Sequence, residues 1–199
     1  MMRLLTLILF LIFFSFPLQV KATEADLLAS VQVDSVQADF TQEKQLPILV
    51  RPIISKGRFV FQAPDSLRWE YFSPVRTVLL MHDGHIRKFV QHGELFKEEQ
   101  GMGVDSMQIV LQEITGWLDG EITDTPTFKV HTKDNNRIIL TPRQEALAKI
   151  ISSIELKLLG QTGLMESVTL NEGEKSLTRM VFSDGKLNEK IPAVTFIKP

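Results

Sequence analysis

The chain has 199 residues, no cysteine, a formal net charge of −2 and 44% hydrophobic residues. Without cysteine there is no disulfide framework and no thiol chemistry, so the fold must rest on its hydrophobic core. The mild acidity argues against nucleic-acid binding or a polybasic membrane-surface role, and the length suits one core rather than two.

Arg3 precedes an apolar run from Leu4 to Leu18, and Pro17 and then Val20-Lys21-Ala22 follow with small residues at the −3 and −1 positions. That is the layout of a secretory signal peptide cleaved after Ala22. A membrane-spanning helix needs about 20 apolar residues, and Ser15, Pro17, Gln19 and Lys21 interrupt this run earlier. Residues 1–22 are therefore expected to be a signal peptide. Residues 23–199 are expected to form one domain exported across the inner membrane to the periplasm.

Residues 24–33 read as a short helix, with Thr23 at its N-cap and Leu27, Leu28 and Val31 on one face. From Val36 onward the period changes to two. Phe59 and Phe61 alternate with Arg58, Val60 and Gln62, and Leu67, Trp69 and Tyr71 alternate with Arg68, Glu70 and Phe72. Val75 to Met81 is nearly continuous in apolar residues, which predicts a strand covered on both faces. Asp83-Gly84 then marks a hairpin, because a type I′ turn needs positive φ at both central positions. Asn135-Asn136, Glu172-Gly173 and Asp184-Gly185 read as further hairpins.

One segment breaks the β pattern. After Asp105, a candidate N-cap, Met107, Val110, Leu111, Ile114, Trp117 and Leu118 recur at helical spacing, with Gly120 beyond the end. Residues 143–150 add a helical turn, and strands follow near 150–159, 164–170, 177–182 and 193–197. The residues alone thus predict a large curved antiparallel sheet with one or two helices laid across it. Such a helix either plugs the core or covers an apolar pocket.

Phe40-Thr41-Gln42, Gly57-x-Phe59, Pro64-x-x-Leu67-Arg68-Trp69, Pro74 and Asp83-Gly84 stand in an order and spacing that resemble the outer-membrane lipoprotein carrier protein (LolA) family. Leu140-Thr141-Pro142 and Ile154-x-Leu156 extend the likeness more loosely. The resemblance implies a mostly β (α+β) fold, an incomplete antiparallel β-barrel with an α-helical lid over an apolar cavity. It also implies a monomeric periplasmic carrier without cofactors or metal. Such a carrier takes an acylated protein or glycolipid cargo from an inner-membrane release complex and passes it to an outer-membrane acceptor. The family's usual basic residue before the Pro is replaced here by Ala63, and Ile86-Arg87-Lys88-Phe89 stands where many members carry an aromatic pair. Both departures point to a divergent paralogue serving another lipid-linked pathway.

The candidate cavity lining is Phe59, Phe61, Trp69, Tyr71 and Leu80 from the strands, with Met107, Leu111, Ile114 and Trp117 from the helix. Aromatic and Met side chains suit adaptable apolar sites, and the same residues also suit ordinary core packing. A second function class is a non-transporting module that senses a lipid signal and binds a protein partner. Enzyme chemistry finds little support. There is no Gly-x-Ser-x-Gly elbow and no phosphate-cradling Gly loop, and His82-Asp83-Gly84-His85 reads as a hairpin before it reads as a zinc motif. Glu98-Glu99 and Glu172/Glu174 read as solvated faces.

Overall fold

The period-two stretches become strands of one antiparallel sheet. A computed structural model describes residues 33–99, 113, 122–134, 136–160, 164–173 and 175–199. The first meander is β1 (Ser35–Gln45), β2 (Ile53–Gln62), β3 (Ser66–Ser73), β4 (Thr77–His82), β5 (His85–His92) and β6 (Leu95–Glu99). The second is β7 (Phe128–Asp134), β8 (Arg137–Pro142), β9 (Ser153–Leu158), β10 (Met165–Glu172) and β11 (Ser176–Leu187). The strand order is β6-β5-β4-β3-β2-β1-β11-β10-β9-β8-β7. Every pairing but one joins consecutive strands. The exception, β1 with β11, runs from Val36↔Leu187 to Gln45↔Leu177 and fuses the two meanders. Among the described residues β6 and β7 each have one neighbour, so the sheet stays open as the incomplete barrel requires.

Turn chemistry places the hairpins. Asp83 (φ 50°) and Gly84 (φ 73°) both adopt positive φ between the flanking pair His82↔His85. Asp184-Gly185 behaves differently from expectation. It lies inside β11, where the pairing with β1 jumps from Gln37↔Lys186 to Asp39↔Ser183. With β1 on one side and β10 on the other, β11 has no following strand to turn towards, and the Asp-Gly conformational freedom is used for a bulge instead. The strand expected at 193–197 is a 3-10 helix (Ala193–Phe196) for a related reason: no free edge lies beside it. The helical turn expected near 143–150 forms α1 (Glu145–Ala148), which buries Leu147. The helices expected over 24–33 and 105–118 lie outside the described residues, Val33 and Glu113 excepted, as does the signal peptide.

Alternation gives the sheet two unlike faces. The inner face carries Val36, Phe40, Phe59, Phe61, Leu67 and Trp69 from the first meander. It meets Leu140, Ile154, Leu156, Val168, Leu170 and Met180 from the second in one buried cluster. Strand β4 is apolar on both sides, as its continuous run predicts. Leu79 and Met81 pack on the inner cluster, while Val78 and Leu80 join Phe89 on the outer face. Val75 lies before the strand and is exposed.

The outer face of β3 and β4 is covered by the C-terminal tail. Arg68 Nη1 donates to the carbonyls of Thr195 and Lys198, at 3.2 and 2.6 Å. Phe196 is buried and stacks on the His82 ring. Glu70, also buried, accepts from Arg68 Nε at 2.8 Å and from Arg76 Nη2 at 2.7 Å. Arg68 therefore orients the tail from one side of the strand while Trp69 packs into the core from the other.

Gly57 shows why a glycine is needed in mid-strand. It pairs with Phe40, whose ring lies over it. A Cβ at this position would collide with the Phe40 ring and with the backbone carbonyl of Glu70. Neither neighbour can yield, since Phe40 is itself packed by Trp69, Tyr71 and Phe182. Gly57→Ala is therefore expected to destabilise the domain by about 3 kcal/mol, at the upper end for overpacking; urea denaturation followed by Trp fluorescence measures it.

Candidate functional site

The bulge in β11 creates the site. A bulge bends its strand and strengthens the local twist, and the residue beside it on β1 is small, Ala38. The space left between β11 and the inner ends of β1–β3 is a cavity of about 130 Å³. Its wall is Val36 and Ala38 from β1, Phe59 from β2, Trp69 from β3, Phe182 from β11, and Leu159, Leu164 and Met165 from the β9–β10 hairpin. The wall is almost wholly apolar. Glu166, Ser183 and Asp184 supply the polar rim, where the Glu166 carboxylate is already held by Lys157 Nζ at 2.7 Å.

The aromatic wall is rigid and specific. Trp69 packs with Phe40 at 4.8 Å between centroids, Phe59 at 5.5 Å and Tyr71 at 6.4 Å. Its indole N–H is, among the described residues, the buried side-chain polar atom that lacks a hydrogen-bond partner. The indole therefore contributes area and shape to this wall rather than a hydrogen bond. Just beyond it, the Tyr71 hydroxyl donates to Gln42 Oε1 at 2.7 Å.

The structure separates the candidate lining residues. Phe59 and Trp69 line the cavity. Phe61 is fully buried in the same cluster and Tyr71 packs against it, both beside the cavity rather than in its wall. Leu80 belongs to the other face. It pairs with Arg68, whereas Trp69 pairs with Leu79, so Leu80 points into the outer cluster with Val78 and Phe89. A continuous apolar run hides this distinction because both of its faces look alike. Met107, Leu111, Ile114 and Trp117 lie outside the described residues.

Sequence reasoning missed Val36, Ala38, Leu159, Leu164, Met165 and Phe182. Phe182 was within reach, because Met180 and Phe182 alternate as Phe59 and Phe61 do. The hairpin residues were not, because only the β1–β11 pairing carries them across the chain to Trp69. The His-Asp-Gly-His run is a hairpin whose His82 Nδ1 lies 2.7 Å from Ser66 Oγ. Among the described residues no three metal-ligating side chains converge.

The edge of the opening is held electrostatically. Arg87 donates to Glu98 at 2.8 Å and Lys88 pairs with Glu99 at 2.8 Å, tying edge strand β6 to β5. Hydrogen bonds from Arg87 and Lys88 hold the Glu98 and Glu99 carboxyls below the usual carboxylate range. A carboxyl depressed in the folded state stabilises it above the unfolded pKa, about 4.3 for Glu. That contribution is lost as pH falls through the lower folded value. Among the described residues β6 has a partner on one side only, so hydrogen exchange is expected to show its amide protection falling below about pH 4, before that of β3. Added salt should weaken the pairing at neutral pH as well.

The described helices include none long and apolar enough to cross a membrane. A family model described as "Outer membrane lipoprotein carrier protein LolA" matches residues 31–197. No curated protein matches the chain significantly. Among solved structures, a LolA superfamily protein from Nitrosomonas europaea is 10% identical, with 88% of this chain and 94% of that chain covered and a TM-score of 0.42. A DUF1329 family protein from Desulfovibrio piger is 9% identical, with 87% and 95% covered and a TM-score of 0.46. The Pseudomonas aeruginosa MucA/MucB complex gives 14% identity and a TM-score of 0.46, with 87% of this chain and 60% of that chain covered.

Proposed function

The chain belongs to the outer membrane lipoprotein carrier protein LolA family, and from that premise we propose that it is a periplasmic carrier of acyl chains. In this reading, residues 1–22 direct export. The domain accepts a lipoprotein or other lipid-linked cargo from an inner-membrane release complex and yields it to an outer-membrane acceptor. The observation that carries the proposal is the apolar cavity on the inner face of an unclosed sheet, walled by Phe59, Trp69, Phe182 and Leu164 and rimmed by polar groups.

Magnitudes constrain how such a site works. An apolar cavity of about 150 Å³ accommodates a molecule the size of benzene, so the cavity here admits a short hydrocarbon segment and not a whole chain. A fully buried chain of about 16 carbons would gain on the order of 12 kcal/mol and would leave too slowly. Both limits are met if a displaceable cover competes with cargo for the same apolar surface, because the net preference is then a small difference between two large terms. We assign that cover to the amphipathic segment bearing Met107, Leu111, Ile114 and Trp117. Its sequence position suits the role. The chain leaves β6 at Glu99, at the same end of the sheet as the cavity, and re-enters at Phe128 of the opposite edge strand.

Ala63 bears on the cargo. It is half-buried and packs on the inner cluster, and its backbone N–H is bonded to the Asp34 carbonyl. Ala63 has no side-chain donor to offer a cover at this position. That suits a cargo with a larger hydrocarbon part or a different headgroup from the lipoproteins of the family's basic-residue members.

Organic extraction and mass spectrometry of the protein recovered from its native periplasm are expected to release a long-chain acylated molecule; protein that is repeatedly empty would count against carriage. Ala38→Leu should fill the cavity. It is expected to lower acyl-chain retention at least tenfold while leaving the thermal midpoint unchanged or raised. Leu111→Ala and Ile114→Ala should likewise change retention more than stability, and a large stability loss with unchanged retention would mean that the segment merely plugs the core.

A further inference from the structure

We propose that the β1–β2 hairpin tip is a membrane anchor, which inserts its aliphatic side chains into a bilayer surface rich in anionic phospholipid. The tip is Leu46-Pro47-Ile48-Leu49-Val50-Arg51-Pro52, followed by Ile53 and Ile54 at the start of β2. Ile48 is 87% and Val50 102% exposed, and Leu49, Ile53 and Ile54 are exposed as well. Five large aliphatic side chains thus stand in water within seven residues, the densest such run among the described residues. The register Lys56↔Ser73 sets the β3–β4 turn beside this hairpin, and that turn adds exposed Phe72 and Val75 to the same end of the sheet. Contiguous apolar exposure of this kind marks a binding surface.

Several features select lipid as the occupant. Ile48 and Val50 project from a hairpin tip into solvent, and acyl chains close around any such projection whereas a protein would need a matching pocket. Its anchors are aliphatic, without the Trp and Tyr that dominate protein hot spots. Pro47 and Pro52 bracket it and carry no backbone N–H, and the Leu49 N–H is bonded to the Leu46 carbonyl at 3.0 Å, so few donors would enter the bilayer unsatisfied. Arg51 within the tip and Lys56 on the flanking strand are exposed, and among the described residues neither makes an ion pair. They are placed to meet phosphate groups at the depth where the aliphatic side chains enter. The mild net acidity of the whole chain does not oppose this, because the contact is local and mainly apolar.

The tip lies at the end of the sheet remote from the cavity, since β1 enters the cavity wall at Val36 and Ala38 and reaches the hairpin only after Gln45. Membrane contact therefore leaves the cavity free, and the inference does not depend on what the cavity holds. Flotation of the full-length mature protein with vesicles of phosphatidylethanolamine and phosphatidylglycerol tests it. Wild type is expected to float, and the neutral double variant Ile48→Ser/Val50→Ser to float at least tenfold less with an unchanged thermal midpoint. Arg51→Gln/Lys56→Gln should lose several-fold on these vesicles and nothing on purely zwitterionic phosphatidylcholine vesicles. A wild type that stays at the bottom of the gradient, or a serine variant that floats as wild type does, overturns the proposal. If instead the tip captures a membrane protein's soluble domain, the first of those results will be obtained.

Discussion

The pairing of β1 with β11 is the constraint on which everything else in this domain depends. Each meander could form from local hairpins, but neither could bury its apolar face alone. Joining β1, the first strand of the chain, to β11, the last, sets Phe40 beside Phe182 and Gln42 beside Met180. That contact turns two half-buried sheets into one core. The cost is the closure of a loop from the first strand to the last, which makes the join the natural late step of assembly.

The same join is imperfect at one place. The bulge at Asp184-Gly185 opposite Ala38 breaks the ladder at the place where the cavity lies. Elsewhere the inner face is packed so closely that Gly57 has no room for a methyl group. Dense packing and a hollow coexist because they fall at successive inward positions of β1, Phe40 and Ala38. Phe40 packs in the aromatic cluster, and the small Ala38 leaves the cavity open beside it.

The domain is also polar in a larger sense. One end of the sheet gathers the cavity, the β9–β10 hairpin and the start of the long connection after β6. The other gathers exposed aliphatic side chains at the β1–β2 tip and the β3–β4 turn. The outer face between them is sealed by the C-terminal tail through Arg68 and Phe196. Under the proposed carriage and membrane contact, one end would touch a bilayer while the other stayed open, so docking and loading would not compete for the same surface.

Most of the strands, most of the turns and the unequal faces are legible in the residues alone, because strand periodicity and the positive φ of Asp83-Gly84 are local properties of the chain. The residues also carry the family likeness, and the structure supplies physical reasons for two of its motifs. Gly57 lies beneath Phe40, and the Arg68-Trp69 pair divides its side chains between tail and core. That Leu80 faces away from Trp69, that Asp184-Gly185 bulges instead of turning, and that Leu164 and Phe182 share a wall with Phe59 emerges only once the strands are paired. Each of those outcomes depends on which strand lies alongside which, and that is fixed by long-range pairing energy, to which no short window of residues has access.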